Sequence, residues 1–210
     1  RAYAIRPYET IGDCAVTDDN AHRQRRSSRL ADYDYSEAGA YFVTLCVHDR
    51  ACILGEVVDG VMRLNGLGQV IISEWLRTPV LRPQVVLDEF VVMPNHFHAI
   101  VTMELSGRGV LPYARPSFQS PSQTLGAIFR GFKSTTTKRI NEIRDTLGAA
   151  VWQRNYYEHV VRNDEELRRI REYIVNNPAQ WALDRENPKK GVYQYAPTDG
   201  IEDIFGGQRP

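Results

Sequence analysis

Blocks of β-branched apolar residues alternate with blocks of helically spaced apolar residues along the middle of the chain. The run at 41–47 is typical of a strand buried on both faces, whereas the spacing of Leu67, Val70, Ile71 and Trp75 is typical of an amphipathic helix. These patterns predict strands at 40–47, 85–92, 96–104 and 151–161, and helices at 67–76, 125–147 and 164–177. The pattern therefore predicts a mixed helix and sheet protein.

Turn and cap residues mark where several of these elements begin and end. Asp59-Gly60 between apolar pairs predicts a tight hairpin within 52–64. Asp164 is predicted to cap the last helix, with acids following it in the first turn, where the helix dipole favours them. Pro79 and Pro178 are predicted to end the first and the last helix, because proline lacks the N–H that an interior turn needs.

The order strand, helix, strand, strand, helix, strand predicts a ferredoxin-like α+β fold (βαββαβ). In this plan an antiparallel sheet carries helices on one face, and its other face remains for a ligand or for the additional C-terminal helix. We expect this domain over 40–182. A basic, partly disordered N-terminal arm is expected over 1–39, and a polar peripheral tail over 183–210.

Composition limits the classes of protein to which the chain can belong. Lys plus Arg and Asp plus Glu number 26 each, so no overall positive field attracts nucleic acid and any such partner needs a local patch. The chain has 3 cysteines and no CxxC spacing, which argues against a disulfide framework or a zinc ribbon and fits a reducing, cytoplasmic location. No apolar run approaches the roughly 18 residues of a membrane span, so we expect no membrane partner.

Two histidines two residues apart are the first sign of chemistry. His96 and His98 lie on a predicted strand, where alternate side chains share a face, so both imidazoles project together and Phe97 projects to the other side. Two such imidazoles can bind a divalent cation. Because two ligands leave a cation under-coordinated, a third must come from elsewhere. Two solvated surface histidines are the alternative interpretation.

The last predicted helix offers that third ligand together with a nucleophile. Tyr173 and Asn177 are four residues apart and therefore share one helix face. An amide oxygen can bind a cation, and a phenol can attack a phosphate. A phenol has a pKa of about 10 and is a weak nucleophile, so it needs an electrophile activated by a Lewis acid. A plain packing role for Tyr173 is the alternative.

Three stretches resemble the signatures of the REP-associated tyrosine transposases, a branch of the single-tyrosine HUH transposases. They are residues 91–101 (VVMPNHFHAIV), 151–159 (VWQRNYYEH) and 171–178 (REYIVNNP). The segment from about residue 25 through Tyr33-Asp34-Tyr35 to Thr44 also resembles the family's opening, so the likeness covers about residues 25–188 in matching order.

This resemblance implies a reaction and a role for each site residue. The family's two metal-binding histidines fall on His96 and His98, its nucleophile on Tyr173, and its third, amide ligand on Asn177, where many relatives have the longer glutamine. Family members bind Mg²⁺ or Mn²⁺ and cleave single-stranded DNA near short hairpins. The tyrosine becomes linked to the 5′ phosphate and a 3′ hydroxyl is left, which permits rejoining and DNA transposition. Two imidazoles and an amide suit Mn²⁺ better than Mg²⁺.

Two basic stretches are predicted to hold the DNA backbone. They are the arm residues Arg23, Arg25, Arg26 and Arg29, and the helix residues Arg130, Lys133, Lys138 and Arg139. Trp152 is predicted to stack on an unpaired base. The alternative for both stretches is an ordinary solvated surface. We expect a monomer in preference to a dimer that exchanges the tyrosine helix.

Rival assignments remain open at this stage. Tyr156 and Tyr157 are other possible nucleophiles, although a packing or stacking role suits their predicted strand better. His159 lies on the same strand, which this fold separates from the histidine pair by the first strand. A hairpin-binding regulator without catalysis is the main functional alternative. A cupin-like metal oxidase would need many more strands and a carboxylate ligand, and replication initiators or relaxases of the wider HUH class usually have longer chains.

Overall fold

The computed structural model describes residues 38–104, 124–184 and 186–188. The strands are β1 (Gly39–Cys46), β2 (Gly55–Val58), β3 (Val61–Leu64), β4 (Val85–Val92), β5 (His96–Met103) and β6 (Tyr157–Val161). The helices are α1 (Gly66–Leu76), α2 (Thr78–Leu81), α3 (Leu125–Arg144) and α4 (Asp164–Gln180), with one-turn 3₁₀ helices at His48–Arg50 and Trp181–Leu183. Most of the predicted basic arm and C-terminal tail lies outside the described residues.

The main sheet is antiparallel and its strands follow the order β4-β5-β1-β6. Within this sheet β1 is the first strand along the chain and β5 is the third, and these two lie in the centre. This is the ferredoxin-like order. The ferredoxin-like α+β prediction is therefore confirmed. As predicted, β1 separates β6 from β5.

The separate hairpin of β2 and β3 turns at Asp59-Gly60, as predicted. Both residues have positive φ, 52° and 73°, which is the left-handed conformation that a two-residue hairpin turn requires. Asparagine, aspartate and glycine adopt it at the lowest cost. The hairpin leads into α1, whose first turn is capped by the side chain of Asn65.

The two faces of the sheet carry different cores. On one face α1 and α3 cover a large apolar cluster that includes Trp75, Phe97 and Phe129. On the other face α4 packs on a smaller cluster around Phe42 and Ile100. Because side chains alternate along β5, Phe97 enters the large core and its neighbours on either side face α4. The sheet therefore separates the histidine pair from α1 and α3.

Several predicted boundaries need correction. The fourth strand begins at Tyr157 rather than at 151, because Trp152 makes an isolated bridge to Val47 and donates its indole N–H to Thr136 of α3. Helix α3 ends at Arg144, where Asp145 adopts a left-handed conformation. The predicted end at Leu147 counted an apolar residue that is 85% exposed.

The N-terminal cap of the last helix and the effect of Pro178 also differ from the prediction. Asn163, not Asp164, caps α4, since its side chain accepts the backbone N–H of Glu166. Pro178 lies inside α4, whereas α1 ends at Leu76 as predicted and Pro79 lies in the first turn of the separate helix α2. The turn after Pro178 is closed by the N–H of Trp181 on the Pro178 carbonyl, a bond that does not need the missing proline N–H. No helix in the described ranges is long and apolar enough to cross a membrane.

Candidate metal and nucleophile site

The histidine pair lies at the start of β5, directly under α4. Strand pairing with Cys46 and Thr44 of β1 fixes the positions of His96 and His98 in the centre of the sheet. Their ring centroids are 4.5 Å apart. The side chains are 0% and 1% exposed, so they are not solvated surface histidines. The predicted common orientation of the two imidazoles is confirmed.

A hydrogen bond to each Nδ1 fixes which nitrogen faces the site. The Nδ1 of His96 lies 2.9 Å from Oδ1 of Asn95, and the Asn95 amide nitrogen donates to the carbonyls of Arg50 and Glu186. An amide oxygen only accepts, so this Nδ1 carries the proton and Nε2 carries the lone pair. The Nδ1 of His98 lies 2.8 Å from the hydroxyl of Thr44. Such partners orient imidazoles that bind cations.

Tyr173 reaches the same place from α4. Its phenol oxygen lies 3.3 Å from Nε2 of His98, and its ring packs edge-on against Phe42. The side chain is half-buried, so it stays partly open to solvent. The neighbouring helix residue Arg171 donates two hydrogen bonds to Asp88 of β4, at 2.9 and 2.6 Å, which holds this turn of α4 against the sheet.

Asn177 lies one turn further along α4 and is 2% exposed. Its Oδ1 and the Nε2 of His96 are both buried polar atoms without a hydrogen-bond partner. Buried polar groups normally have a partner, and those that lack one call for an explanation such as an ion. An imidazole lone pair and an amide oxygen are both cation ligands. The imidazole nitrogen and the amide oxygen at this place therefore fit a divalent cation such as Mg²⁺ or Mn²⁺.

Burial keeps both imidazoles neutral. It lowers the pKa of His96 to about 4, partly opposed by the carboxylate of Asp184. Burial also lowers the pKa of His98 well below its usual value, and the neighbouring His96 lowers it further. Neutral imidazole is the form that binds a cation, so at neutral pH no proton needs to leave before binding.

In the described ranges no group of three His, Cys, Asp or Glu side chains could hold a metal ion without a ligand of another type. The predicted ligands His96, His98 and Asn177 nevertheless lie together. They are not such a group, because Asn177 contributes an amide. Sequence reasoning missed three residues that the structure adds: Thr44 and Asn95 behind the imidazoles, and Asp184 beside His96. Asn95 lies in the quoted motif, but its contacts with Arg50 and Glu186 depend on the tertiary fold.

Among the rival residues, Tyr157 lies across β1 from His98, opposite Thr44, whereas Tyr156 and His159 contact other parts of the fold. Tyr156 packs against Phe129 in the large core, and Tyr157 packs edge-on against Phe42. His159 bonds through Nε2 to Glu166 at 2.9 Å, which ties β6 to the first turn of α4. The contacts of Tyr156 and Tyr157 fit the packing role expected for them, and the bond of His159 joins a strand to a helix.

The predicted DNA-binding residues of α3 divide into two groups. Lys133 donates to the carbonyls of Gln153 and Arg154, and burial lowers its pKa. Arg139 pairs with the buried Glu74 of α1. Arg130 and Lys138 are exposed. The helix lies across the sheet from the histidines, so its exposed charges do not face the site. Arg23, Arg25, Arg26 and Arg29 lie outside the described residues.

The structure also corrects the environment predicted for Trp152. Its side chain is 5% exposed, it packs against Phe132, and its indole N–H is bonded to Thr136 at 2.9 Å. Stacking on a base would require this ring to leave the core and break that hydrogen bond. Trp152 therefore holds the segment before β6 against α3.

The fold and the site define an α+β protein with a ferredoxin-like sheet, on which two imidazoles, an amide and a phenol meet. No family model matches the chain. The chain is 41% identical over 170 residues to an uncharacterized protein of Haemophilus influenzae, which covers 77% of this chain and 92% of that protein. The chain therefore belongs to the same family as this Haemophilus influenzae protein.

Two solved structures are similar at lower identity. One is a REP-associated tyrosine transposase bound to a REP hairpin, with 22% identity, a TM-score of 0.49, and coverage of 74% of this chain and 76% of that one. The other is a candidate transposase of Deinococcus radiodurans, with 16% identity, a TM-score of 0.38, and coverage of 70% and 95%. At these values a structural likeness says nothing about the reaction of this chain.

Proposed function

We propose that the chain is a single-tyrosine HUH transposase that cleaves and rejoins single-stranded DNA at hairpin sequences. The reaction depends on Mg²⁺ or Mn²⁺ and passes through a 5′-phosphotyrosine. The observation that carries this proposal is the distance of 3.3 Å between the phenol oxygen of Tyr173 and Nε2 of His98. That contact lies beside two buried atoms without hydrogen-bond partners, Nε2 of His96 and Oδ1 of Asn177.

Each residue has a physical role in this reaction. His96, His98 and Asn177 would hold the cation, which supplies Lewis-acid stabilisation of charge on the phosphate oxygens. Tyr173 is the nucleophile, and its partial exposure lets it reach a strand that enters from solvent. Thr44 and Asn95 keep the imidazole lone pairs directed into the site.

The covalent step conserves the phosphodiester's free energy. The phenol oxygen of Tyr173 forms a bond to phosphorus while the bond from phosphorus to the 3′ oxygen breaks. The electron pair leaves with the 3′ oxygen, which takes up a proton, and the phenol proton passes to solvent. Attack by a new 3′ hydroxyl reverses these changes and joins the strands, so no nucleotide cofactor is needed.

Hairpin DNA is proposed as the partner on the strength of the three sequence motifs. The site residues support phosphoryl chemistry, but they carry no information about base sequence, because phosphate contacts position a strand without reading it. The large basic patch that the sequence predicted on α3 lies across the sheet, so the DNA near Tyr173 must be held by other groups. The cleavage reaction is thus the part that the geometry supports most directly.

The decisive experiment looks for the covalent intermediate. We would incubate the protein with labelled single-stranded DNA that contains a hairpin and its flanks, with Mn²⁺, and run a denaturing gel. We expect a protein-linked DNA band that Tyr173→Phe abolishes, because phenylalanine lacks the attacking oxygen. Tyr156→Phe and Tyr157→Phe are matched controls and should keep the band.

Two outcomes would contradict the proposal in different ways. A band that persists in Tyr173→Phe and disappears in one of the control variants would move the nucleophile to β6 or the residue before it. Binding of the hairpin by the wild-type protein, with no covalent band at any concentration of Mn²⁺ or Mg²⁺, would favour the non-catalytic hairpin-binding regulator instead.

A further inference from the structure

Asp184 lies against the histidine site although it follows the predicted end of the domain. The 3₁₀ helix Trp181–Leu183 continues from α4 and turns the chain back over β5, where the Trp181 ring packs near His96. The backbone N–H of Asp184 is bonded to the carbonyl of Trp181, and its Oδ1 accepts the N–H of Glu186 at 2.6 Å. These bonds fix the carboxylate, which is 9% exposed.

The second oxygen of this carboxylate lies near His96 Nε2, which has no hydrogen-bond partner, and near the amide group of Asn177. Oδ2 of Asp184 lies 4.0 Å from Nε2 of His96 and 3.4 Å from the amide nitrogen of Asn177. Two ligands that each lie about 2.1 Å from one cation are about 3 to 4 Å apart, depending on the coordination angle. The separation of Oδ2 and Nε2 is thus suited to a shared cation. A direct hydrogen bond would need a shorter distance.

Charge leads to the same conclusion. Two neutral imidazoles and an amide provide no negative charge, and a divalent cation in a buried neutral site is poorly compensated. Glu186, the next acid along this segment, forms an ion pair with Arg50 at 3.0 Å. Asp184 bonds instead to a backbone N–H and to the Asn177 amide. Its charge therefore remains available to compensate a cation.

We infer that Asp184 is a carboxylate ligand of the cation centre, beside His96, His98 and Asn177. This inference rests on the cation site of the proposed function and adds a hard, charged oxygen to it. Carboxylate oxygens favour Mg²⁺ and Mn²⁺ over softer ions. Asp184 therefore raises the affinity for Mg²⁺ most, because the remaining nitrogen ligands suit Mn²⁺ better than Mg²⁺.

The test measures cation binding to the full chain without DNA. Isothermal titration calorimetry would give the affinities of the wild type, Asp184→Asn and Glu186→Gln for MnCl₂ and for MgCl₂. We expect Asp184→Asn to weaken Mn²⁺ binding by about tenfold or more, and Mg²⁺ binding by a larger factor. Glu186→Gln also removes one carboxylate from the same segment, and it should stay within about twofold of wild type.

A change in the ratio of the two affinities separates ligation from a structural role. Loss of packing would weaken both cations by the same factor, so an unchanged ratio of Mg²⁺ to Mn²⁺ affinity would overturn the inference. Wild-type affinities in Asp184→Asn would overturn it as well. Circular dichroism and thermal unfolding without metal would show that the variant folds.

A second measurement needs no variant at Asp184. Anomalous diffraction from crystals of the wild type with Mn²⁺ should place the cation about 2.1 Å from Oδ2 of Asp184. A cation bound by both histidines with Asp184 beyond coordination distance would overturn this inference and leave the proposed function intact. Mn²⁺ binding that is unchanged in His96→Gln and His98→Gln would instead contradict the cation site on which the proposed function depends.

Discussion

The orientation of the His98 imidazole depends on a hydrogen bond from the neighbouring strand. Thr44 of β1 lies opposite His98 in the strand register, and its hydroxyl lies 2.8 Å from Nδ1. If Nε2 is to bind a cation, Nδ1 must carry the proton and donate it to this hydroxyl. The Thr44 side chain is 6% exposed, so water cannot easily replace it.

Replacing Thr44 tests this arrangement with a matched pair of variants. Thr44→Val keeps the branched shape and removes only the hydroxyl, so Nδ1 loses its partner; we expect Mn²⁺ affinity to fall by about tenfold. Thr44→Ser keeps the hydroxyl and should bind within about twofold of wild type. Titration calorimetry of both proteins provides the measurement, and equal affinities would show that Thr44 does not orient the ligand.

Local spacing was sufficient to predict most of the residues that meet at the site. The two-residue period of a strand placed His96 and His98 on one face, and the helical period placed Tyr173 and Asn177 on one face. Spacing could not predict the partner of Asn95, because its amide bonds to backbone carbonyls 45 and 91 residues away in sequence. Nor could it predict that Lys133 bonds to backbone carbonyls and that Trp152 is buried, since local sequence does not specify burial.

At the scale of elements, the position of α4 determines whether Tyr173 reaches the histidines. Ile170 and Ile174 lie on the buried face of this helix and are both 1% exposed, against Phe42 and Ile100 of the sheet. The ion pair of Arg171 with Asp88 and the bond between Glu166 and His159 join the helix to both edges of the sheet. This docking also fixes the position of Tyr173, because Tyr173 lies between Ile170 and Ile174 in the sequence of the helix.

A pair of neighbouring substitutions on α4 tests how much this docking contributes. Ile174→Ala leaves a cavity beneath the helix, and we expect the free energy of unfolding to fall by about 2 to 4 kcal/mol. Val175→Ala removes apolar atoms from the adjacent, 61% exposed position and should change it by less than about 0.5 kcal/mol. Urea unfolding followed by circular dichroism measures both. Similar losses in the two variants would mean that α4 is not held by this face.

The ends of elements were harder to predict than their existence. Sequence reasoning treated Pro178 as a stop, yet helical turns continue past it, because later bonds such as that from Asn187 to the Trp181 carbonyl hold the chain. This continuation carries Asp184 to the site. The predicted domain end at 182 thus left out a residue that lies against the histidines.

At the scale of the whole molecule, the sheet divides two surfaces with different roles. The histidines and Tyr173 lie on the α4 side, whereas the exposed Arg130 and Lys138 belong to α3 on the other side. A DNA strand at Tyr173 can meet those charges only if the DNA passes around an edge of the sheet. The basic stretch of α3 therefore lies apart from the site. Two of its charges are already engaged, because Arg139 pairs with Glu74 and Lys133 bonds to backbone carbonyls.

The described structure assembles the whole site within one chain. Tyr173 contacts His98 of its own chain, and only Arg162 and Asn163 connect β6 to α4, so the tyrosine helix packs on its own sheet. We therefore expect no complementation when His98→Gln, which keeps Tyr173, is mixed with Tyr173→Phe, which keeps both histidines. The covalent DNA band should be absent from each variant and from the mixture. A mixture of wild type with His98→Gln, which should keep the band, controls for inhibition by the variant. A band that appears only when the two variants are mixed would show that subunits exchange α4, in place of the expected monomer.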